Sequence, residues 1–247
     1  MSIKKLIKYI LPYFIFRKVE IARTRIRGLK FRGRTTQEVF SEIYQNGLWG
    51  DSIDPAQPFY SGSGSHDKSV TDVYVDGIRN LLESFPVKLN AVDLGCGDFS
   101  IGGRLRPLFS GYTACDIVPQ LIEFNRNKYQ SLGVDFRVIN LITDELPKGD
   151  IVFIRQVLQH LSNEQIEQLI PKLEPTYDIL VLTEHLPKSG SFVPNIDKPA
   201  GPDIRLGYDS GVVLTRPPFN LRAIEERVIC EVDEGSGVIR TTMYKLK

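Results

Sequence analysis

The chain has 247 residues, of which 42% are hydrophobic and 25% charged, so it can bury a full core and has the composition of a soluble globular protein. Three cysteines, none at metal-ligand spacing, argue against a disulfide scaffold or a zinc site. The formal net charge of +1 is unevenly distributed, because the first 34 residues hold 11 of the 31 Lys and Arg residues and a single acid, Glu20. We therefore predict one domain preceded by a basic arm.

The arm, Met1–Arg34, combines apolar residues at helical spacing with lysines on the other faces. Its apolar run is too short and too charged to span a bilayer, and no small-residue cleavage site follows it. This composition favours a helix lying in the interface of an anionic membrane. A helix packed on the domain, a disordered tail and a nucleic-acid-binding arm are the alternatives, and the aliphatic content disfavours nucleic acid. We expect a cytoplasmic protein with peripheral contact to the inner membrane.

Residues 35–68 are predicted to form a helix followed by a capping loop. The helix covers Thr35–Leu48, with Thr35 or Thr36 as its N-cap. The hydroxyl-rich stretch Phe59–His66 predicts a lid over a ligand, with Trp49 or Tyr60 covering it. A flexible linker is the alternative.

Residues 69–247 alternate between helical and strand patterns and end in a hairpin signal. The predicted helices are Ser69–Phe85, Asp98–Phe109 (broken near Pro107), Pro119–Tyr129 and Ser162–Leu173. The predicted strands are Ala91–Leu94, Tyr112–Ile117, Val134–Asn140, Asp150–Arg155, Tyr177–Thr183, Ile224–Val232 and Val238–Leu246, with a long loop over Lys188–Asn220. This order predicts an α/β fold with a Rossmann-like seven-stranded sheet, mostly parallel with a C-terminal antiparallel hairpin.

A glycine turn follows the first strand, in the sequence Val92-Asp93-Leu94-Gly95-Cys96-Gly97. The two glycines allow a sharp turn and a close approach of the backbone to a ligand, as in nucleotide-binding βαβ units. Ser100 stands where a dinucleotide-binding motif has its third glycine. Asp93 would repel a pyrophosphate and attract a cationic ligand.

Further candidates lie at the carboxyl ends of the other strands, where such sheets bind ligands. Asp116 ends the second strand and could accept hydrogen bonds from both ribose hydroxyls of an adenosine. Asn140 ends the third strand and either pairs with an adenine edge or is a turn residue. Arg155 ends the fourth strand, and Glu184 and His185 end the fifth. Because adjacent residues of an extended chain point to opposite sides, Glu184 and His185 predict no metal site.

These segments resemble the successive motifs of class I S-adenosylmethionine-dependent methyltransferases. The resemblance rests on Val92–Gly97, Asp116, Asn140 and Asp150–Phe153, and it covers roughly Ser69 to Lys247. Val157–Leu161 is similar to a Leu-x-His-Leu segment that follows the fourth strand in many small-molecule members. Trp49-Gly50 and Ser61–Ser65 resemble a bacterial subgroup often associated with surface-polysaccharide gene clusters.

The resemblance implies S-adenosylmethionine as the cofactor, which carries a sulfonium and an ammonium group and no phosphate. It implies that Asp93, Gly95 and Gly97 hold the methionine end, Asp116 the ribose and Asn140 the adenine. The complete set of expected cofactor-binding residues is Trp49, Asp93, Gly95, Cys96, Gly97, Asp116, Ile117, Asn140, Leu141 and Arg155. Asn140 stands where many members have Asp, and Gln156 stands where the subgroup often has an acid.

The implied reaction is methyl transfer to a hydroxyl of a saccharide or lipid-linked sugar. A weakly nucleophilic hydroxyl calls for a general base, and His185 is favoured for this role with His160 orienting the acceptor. Arg155 and Glu184 complete the expected catalytic set. A structural role for each histidine is the alternative. At the level of function, the alternatives are an N- or O-methyltransferase for a small metabolite and a non-catalytic cofactor-binding module.

Overall fold

The computed structural model describes residues 13–52, 54–188 and 191–247. Its core is a seven-stranded sheet in the order β3-β2-β1-β4-β5-β7-β6. The strands are β1 Asn90–Leu94, β2 Gly111–Asp116, β3 Asp135–Val138, β4 Ile151–Arg155, β5 Ile179–Pro187, β6 Glu225–Glu234 and β7 Gly237–Lys245. The first five strands pair in parallel, and β7 is antiparallel to both of its neighbours. The predicted sheet, with its C-terminal antiparallel hairpin, is confirmed.

Six α-helices accompany the sheet in the described parts of the chain. They are α1 Tyr13–Leu29, α2 Thr36–Gln45, α3 Lys68–Leu82, α4 Ser100–Leu105, α5 Pro119–Lys128 and α6 Asn163–Thr176. Local signals fix several of the boundaries. Thr35 begins α2 through a capping box with Glu38, and Ser162 begins α6 through one with Gln165. Pro119 occupies the first position of α5, as its fixed φ favours.

The central strands β4 and β5 are buried on both faces of the sheet, which explains their continuous apolar runs. Along β4, Val152 and Ile154 pack into one core cluster while Ile151 and Phe153 pack into the other, as the two-residue period of a strand requires. The strand order reverses between β1 and β4, because β2 lies on one side of β1 and β4 on the other. The carboxyl ends of these strands therefore flank the crevice in which open α/β sheets bind ligands.

The end of β5 differs from the sequence-based prediction. Parallel pairing with β4 stops at Thr183, the predicted last residue, but antiparallel pairing with β7 continues through Pro187, which lies opposite Gly237. Glu184 and His185 are therefore inside β5, and the prediction that they follow the strand is wrong. The long antiparallel partner keeps the chain extended after the parallel neighbour has ended.

Part of the predicted arm packs against the domain. Residues 1–12 of the arm lie outside the described residues, whereas α1 contacts the segment Pro199–Arg205, called here the 199–205 segment. A Cβ on Gly28 would lie 2.9 Å from Pro199, and Arg27 Nη1 lies 2.6 Å from Asp203 Oδ1. Thr24 and Phe31 are buried. None of the described helices is both long and apolar enough to cross a bilayer.

Candidate active site

A cleft of about 350 Å³ opens at the carboxyl ends of β1, β2 and β4, a volume typical of ligand sites. All of the expected cofactor-binding residues line it, and so do both candidate histidines. These lining residues are Trp49, Asp93, Gly95, Cys96, Gly97, Asp116, Ile117, Asn140, Leu141, Arg155, His160 and His185. Glu184, the remaining candidate, does not line the cleft.

The floor of the cleft is the glycine turn between β1 and α4. Gly95 and Gly97 have φ values of 85° and 56°, in the left-handed region that glycine adopts without strain. A Cβ at Gly97 would collide with Ser61 Oγ, so the turn also needs the missing side chain for space. Asn125, which is fully buried, donates from Nδ2 to the Gly97 carbonyl at 2.7 Å. The sequence analysis missed Asn125, because a helical Asn so far along the chain carries no local signal of this contact.

Two buried carboxyl groups face this turn. Asp116 accepts the N–H groups of Gly97 and Val118, both at 3.1 Å, and Asp93 accepts the hydroxyl of Tyr112 at 3.1 Å. Burial raises the pKa of Asp116 to about 6, although its backbone hydrogen bonds oppose the shift, and burial raises the pKa of Asp93 to about 7. A cationic ligand would stabilise the ionised form of both groups.

The far wall of the cleft is formed by the turn after β3. Asn140 Oδ1 accepts the N–H of Ile142 at 2.9 Å, so Asn140 is a turn residue. In the described parts of the chain, its Nδ2 meets no acceptor, which leaves the amide able to donate to a ligand. Lys172 holds the same turn from behind, donating to the carbonyls of Ile142 at 2.9 Å and Asp144 at 3.0 Å.

The lid, residues Phe59–His66, is hydrogen-bonded over the glycine turn and is not a free linker. Ser61 and Asp98 exchange two hydrogen bonds of 2.9 Å, and His66 Nε2 lies 2.7 Å from Asp98 Oδ2. Burial raises the pKa of Asp98, but the interactions with His66 and the hydrogen bonds from Ser100 together lower the pKa below its usual value. Arg155 ties the lid to the end of β4, donating to the Gly64 carbonyl at 2.5 Å.

Aromatic side chains wall one end of the cleft, called here the aromatic end. The Trp49 ring lies 5.2 Å from that of Tyr44, 6.0 Å from Phe40 and 4.9 Å from His160. Its Nε1 donates to the Pro202 carbonyl in the 199–205 segment at 3.2 Å. Of the two rings expected to cover the ligand, Trp49 lines the cleft. Tyr60 instead stacks on His66, at 4.5 Å, and is not part of the lining.

His160 lies in a single 3₁₀ turn, Leu158–His160, after β4. Its Nδ1 lies 3.2 Å from the Gly201 carbonyl oxygen. A carbonyl only accepts, so Nδ1 carries the proton and Nε2 has the lone pair. Burial, followed by the nearby charge of Lys198, lowers the pKa of His160 to about 3, which keeps the ring neutral.

His185 has the opposite arrangement within β5. Its Nε2 lies 3.0 Å from the Glu234 carbonyl oxygen, so Nε2 carries the proton and Nδ1 has the lone pair. Burial lowers the pKa of His185, but the hydrogen bond to the Glu234 carbonyl opposes the shift. This carbonyl would stabilise an imidazolium, because it would keep its hydrogen bond after Nδ1 took up a proton.

Glu184 lies on the other side of β5, as the alternation of a strand predicts. It is 2% exposed, and its Oε1 accepts the N–H of Leu158 at 3.1 Å. Burial raises the pKa of Glu184 to about 8. Glu184 therefore contacts the backbone that carries His160 and not the contents of the cleft. Among the described residues, no group of three His, Cys, Asp or Glu side chains could hold a metal ion.

Comparison with known proteins agrees with this geometry. Residues 92–181 match a family model described as a methyltransferase domain. No curated protein sequence matches the chain.

Three solved structures share the fold at low sequence identity. The N-methyltransferase NodS from Bradyrhizobium japonicum WM9, in complex with S-adenosyl-L-homocysteine, has a TM-score of 0.60 and 13% identity, covering 84% of this chain and 98% of its own. Human N-acetylserotonin methyltransferase in complex with SAM has a TM-score of 0.57 and 15% identity, covering 94% of this chain and 66% of its own. A SAM-dependent methyltransferase from Leishmania major has a TM-score of 0.54 and 18% identity, covering 86% of this chain and 91% of its own.

The domain match covers the region from β1 to β5, which carries the glycine turn, Asp116 and the end of β4. With the strand order and the cleft, it identifies the protein as a methyltransferase that uses S-adenosylmethionine. The site fits the cofactor, since two glycines leave room beside the turn and two carboxyl groups suit a cation. When bound, S-adenosylmethionine supplies a methyl group activated by the positive sulfonium.

Proposed function

We propose that the enzyme methylates a hydroxyl group of a saccharide or a lipid-linked sugar, in the biosynthesis of a surface polysaccharide. The observation that carries this proposal is the aromatic end of the cleft. Its walls are Phe40, Tyr44 and Trp49, completed by the apolar lining residues Leu161, Pro202 and Ile204. Aromatic faces are partly negative and attract the partly positive C–H groups of a sugar ring, and no ionised side chain at this end selects for a charged acceptor.

In this proposal the two histidines have different roles at the acceptor hydroxyl. His160 is a neutral hydrogen-bond acceptor at Nε2 and orients the hydroxyl. A buried imidazolium beside Lys198 would be unfavourable, so His160 is unsuited to take the proton itself. His185 takes the proton at Nδ1, supported by the Glu234 carbonyl at Nε2. Positioning of the hydroxyl and exclusion of water by the lid supply most of the remaining acceleration.

An N- or O-methyltransferase for a small metabolite is the main alternative, and the similarity to the N-methyltransferase NodS keeps amines among the candidate acceptors. A non-catalytic module would bind cofactor and turn over nothing. Transfer from labelled S-adenosylmethionine to a panel of neutral sugars, lipid-linked sugars, amines and phenols tests all three functions. Label in the sugar fraction supports the proposal, and label in the amines or phenols alone would replace it. Cofactor binding with no transfer to any acceptor would favour the module.

The arm adds a membrane partner to this proposal. Along α1 and the residues after it, Lys18, Lys30 and Arg32 are exposed, and the exposed fraction of Ile26 is 64%. Cations beside exposed aliphatic side chains suit the interface of an anionic membrane. Contact at this face would bring a cytoplasmic enzyme to a lipid-linked acceptor. Binding to vesicles, described in the Discussion, tests this partner.

A further inference from the structure

The His160 turn, residues Leu158–Leu161, begins at the buried carboxyl group of Glu184. Oε1 of Glu184 accepts the N–H of Leu158 at 3.1 Å from the opposite side of β5. Burial raises the pKa of Glu184, whereas the positive charge of Arg205 and the backbone N–H groups at the start of the turn oppose the shift. The first N–H groups of a helical turn carry partial positive charge, and a carboxyl group at this position stabilises them.

The same turn ends on two basic side chains. Nζ of Lys198 donates to the His160 carbonyl at 3.3 Å, and Nη2 of Arg205 donates to the Leu161 carbonyl at 2.7 Å. The last carbonyls of a helical turn carry partial negative charge, so these donors lie at the end that attracts them. Each end of the His160 turn is therefore held by hydrogen bonds with side chains from other parts of the chain.

These three side chains are buried far more deeply than charged residues usually are. Glu184 is 2% exposed, Lys198 3% and Arg205 0%. In the described parts of the chain, Oε2 of Glu184 and Nε of Arg205 have no hydrogen-bond partner. Well-packed apolar residues often stabilise a core as well as a buried charge cluster does, or better. Stability alone therefore does not account for these residues.

His160 gains a defined protonation state from its surroundings. The Gly201 N–H donates to the His160 carbonyl at 3.0 Å, and the Gly201 carbonyl accepts from Nδ1 at 3.2 Å. Burial disfavours a second proton on the ring, and so does a protonated Lys198 close to the turn. Nε2 accepts an N–H of the Gln159 amide at 3.4 Å.

We propose that Glu184, Lys198 and Arg205 are positioning residues, which hold His160 as the neutral Nδ1–H tautomer with Nε2 as its accepting nitrogen. An acceptor hydroxyl would reach Nε2 by displacing the Gln159 amide, and only this step rests on the proposed function. The orientation and tautomer of His160 are properties of the protein without acceptor.

Nitrogen-15 NMR of the full chain with labelled histidine tests the proposal without any acceptor. The chain has three histidines, so each signal is assigned by replacing His66, His160 or His185 with Gln. In the wild-type protein near neutral pH, we expect His160 to carry its proton on Nδ1 and His185 on Nε2. A His160 ring that is charged, or protonated on Nε2, would overturn the proposal.

Variants then test the three positioning residues. Glu184→Met and Lys198→Met each remove a bond to the turn and keep the side-chain length, so we expect His160 to lose its single tautomer. Glu184→Gln keeps an acceptor oxygen for Leu158 and should retain the wild-type signal. Thr241→Val removes a buried hydrogen bond to Thr183 in the same sheet, distant from the turn, and should leave the signal unchanged.

Circular dichroism establishes which variants fold. An unchanged His160 signal in folded Glu184→Met and Lys198→Met would overturn the positioning role. If neither variant folds, the proposal is tested by the His160 tautomer in the wild-type protein and in Glu184→Gln. A wild-type His160 signal that lacks the Nδ1 proton contradicts the proposal by itself. Absence of methyl transfer to saccharides with the expected His160 signal would count against the proposed function and not against the positioning role.

Discussion

Asp116 contributes one charged side chain to the cleft, and its removal gives the most direct test of cofactor binding. Asp116→Ala removes a charge-assisted acceptor for the ribose hydroxyls and should weaken binding of S-adenosyl-L-homocysteine by about 1.5–3 kcal/mol. Isothermal titration calorimetry near pH 8 measures the loss. Asp135→Ala, which removes an exposed acid from the neighbouring strand, serves as the control. Unchanged affinity in folded Asp116→Ala would remove the ribose assignment.

Asp93 should make the cofactor-free protein less stable as the pH rises. An aspartate in the unfolded chain titrates near 4, whereas burial raises the pKa of Asp93 in the folded protein to about 7. The folded state therefore binds the extra proton, and wild-type stability falls between about pH 4 and about pH 7 through this group. Asp93→Asn does not titrate at this position, so its free energy of unfolding should lack this decrease between about pH 4 and about pH 7.

Urea unfolding at about pH 5 and about pH 8 measures this difference. The free energy of unfolding of Asp93→Asn minus that of the wild type should be larger at the higher pH, because other groups titrate equally in both proteins. The same difference at both pH values would contradict the perturbed titration of Asp93. The variant should also bind S-adenosyl-L-homocysteine more weakly, since it gives up a negative charge that can attract the ammonium group of the ligand.

Once an acceptor is known, replacing His185 and replacing His160 should lower turnover by different amounts. His185→Gln removes the proposed base, and we expect a loss of about 100-fold or more in turnover with normal cofactor affinity. His160→Gln keeps an amide in the place of the orienting ring and should cost less. Single-turnover transfer of labelled methyl measures both variants. A larger loss in His160→Gln would exchange the roles, and full turnover in both would exclude histidine base catalysis.

At the scale of elements, the glycine turn and the lid act as one unit. Gly97→Ala places a methyl group against Ser61 in the lid, whereas Gly133→Ala, at a similar φ of 60°, meets only Arg106 Nη2 at 3.9 Å, an ordinary van der Waals distance. Both variants should lose about 1–2 kcal/mol of stability from left-handed backbone strain. Only Gly97→Ala should also lose affinity for S-adenosyl-L-homocysteine, by displacing the lid. Equal affinity losses in the two variants would show that the lid contact is irrelevant to binding.

Local signals predicted most element boundaries correctly, and β5 shows where they fail. Thr35 and Ser162 begin helices because the capping side chain and its partner three residues later lie within one turn of sequence. The end of β5 depends instead on β7, more than 50 residues later, which pairs with Glu184 and His185 despite their polarity. An apolar run shows where a strand is buried, but pairing determines where it ends.

At the scale of the whole molecule, the cofactor half of the cleft was predictable and the aromatic end was not. The residues expected to hold the cofactor lie in or after neighbouring parallel strands, so the fold brings them to one cleft once the sheet is known. The aromatic end needs the 199–205 segment, which is rich in proline and glycine and has no periodicity. Its contacts with α1 join residues as far apart as Arg27 and Asp203, 176 positions along the chain.

The packing of α1 also changes how the membrane proposal should be tested. Deleting the arm would uncover the 199–205 segment, so reversal of exposed charges is the cleaner experiment. Lys18→Glu, Lys30→Glu and Arg32→Glu together should abolish binding to anionic vesicles and leave cofactor affinity intact. Wild-type binding should weaken with added salt.

A control with the same change in net charge carries three reversals elsewhere on the surface, Lys68→Glu, Lys148→Glu and Arg222→Glu. Co-sedimentation with vesicles should show wild-type binding for this control. Equal pelleting of the arm variant and the control would exclude the arm as the contact. Loss of binding in both would mean that overall charge, and not a defined face, attracts the protein to lipid.

β5 continues for four residues after its parallel pairing with β4 has ended, and this extension has a consequence for acceptor selection. His185 belongs to this extension directly, and His160 is joined to it through the bond from Glu184 to Leu158. His185 is therefore held by a paired strand, whose geometry is stiff, and the turn that carries His160 is bonded to the same strand. The enzyme would then select acceptors whose hydroxyl group can contact both imidazole rings at the same time.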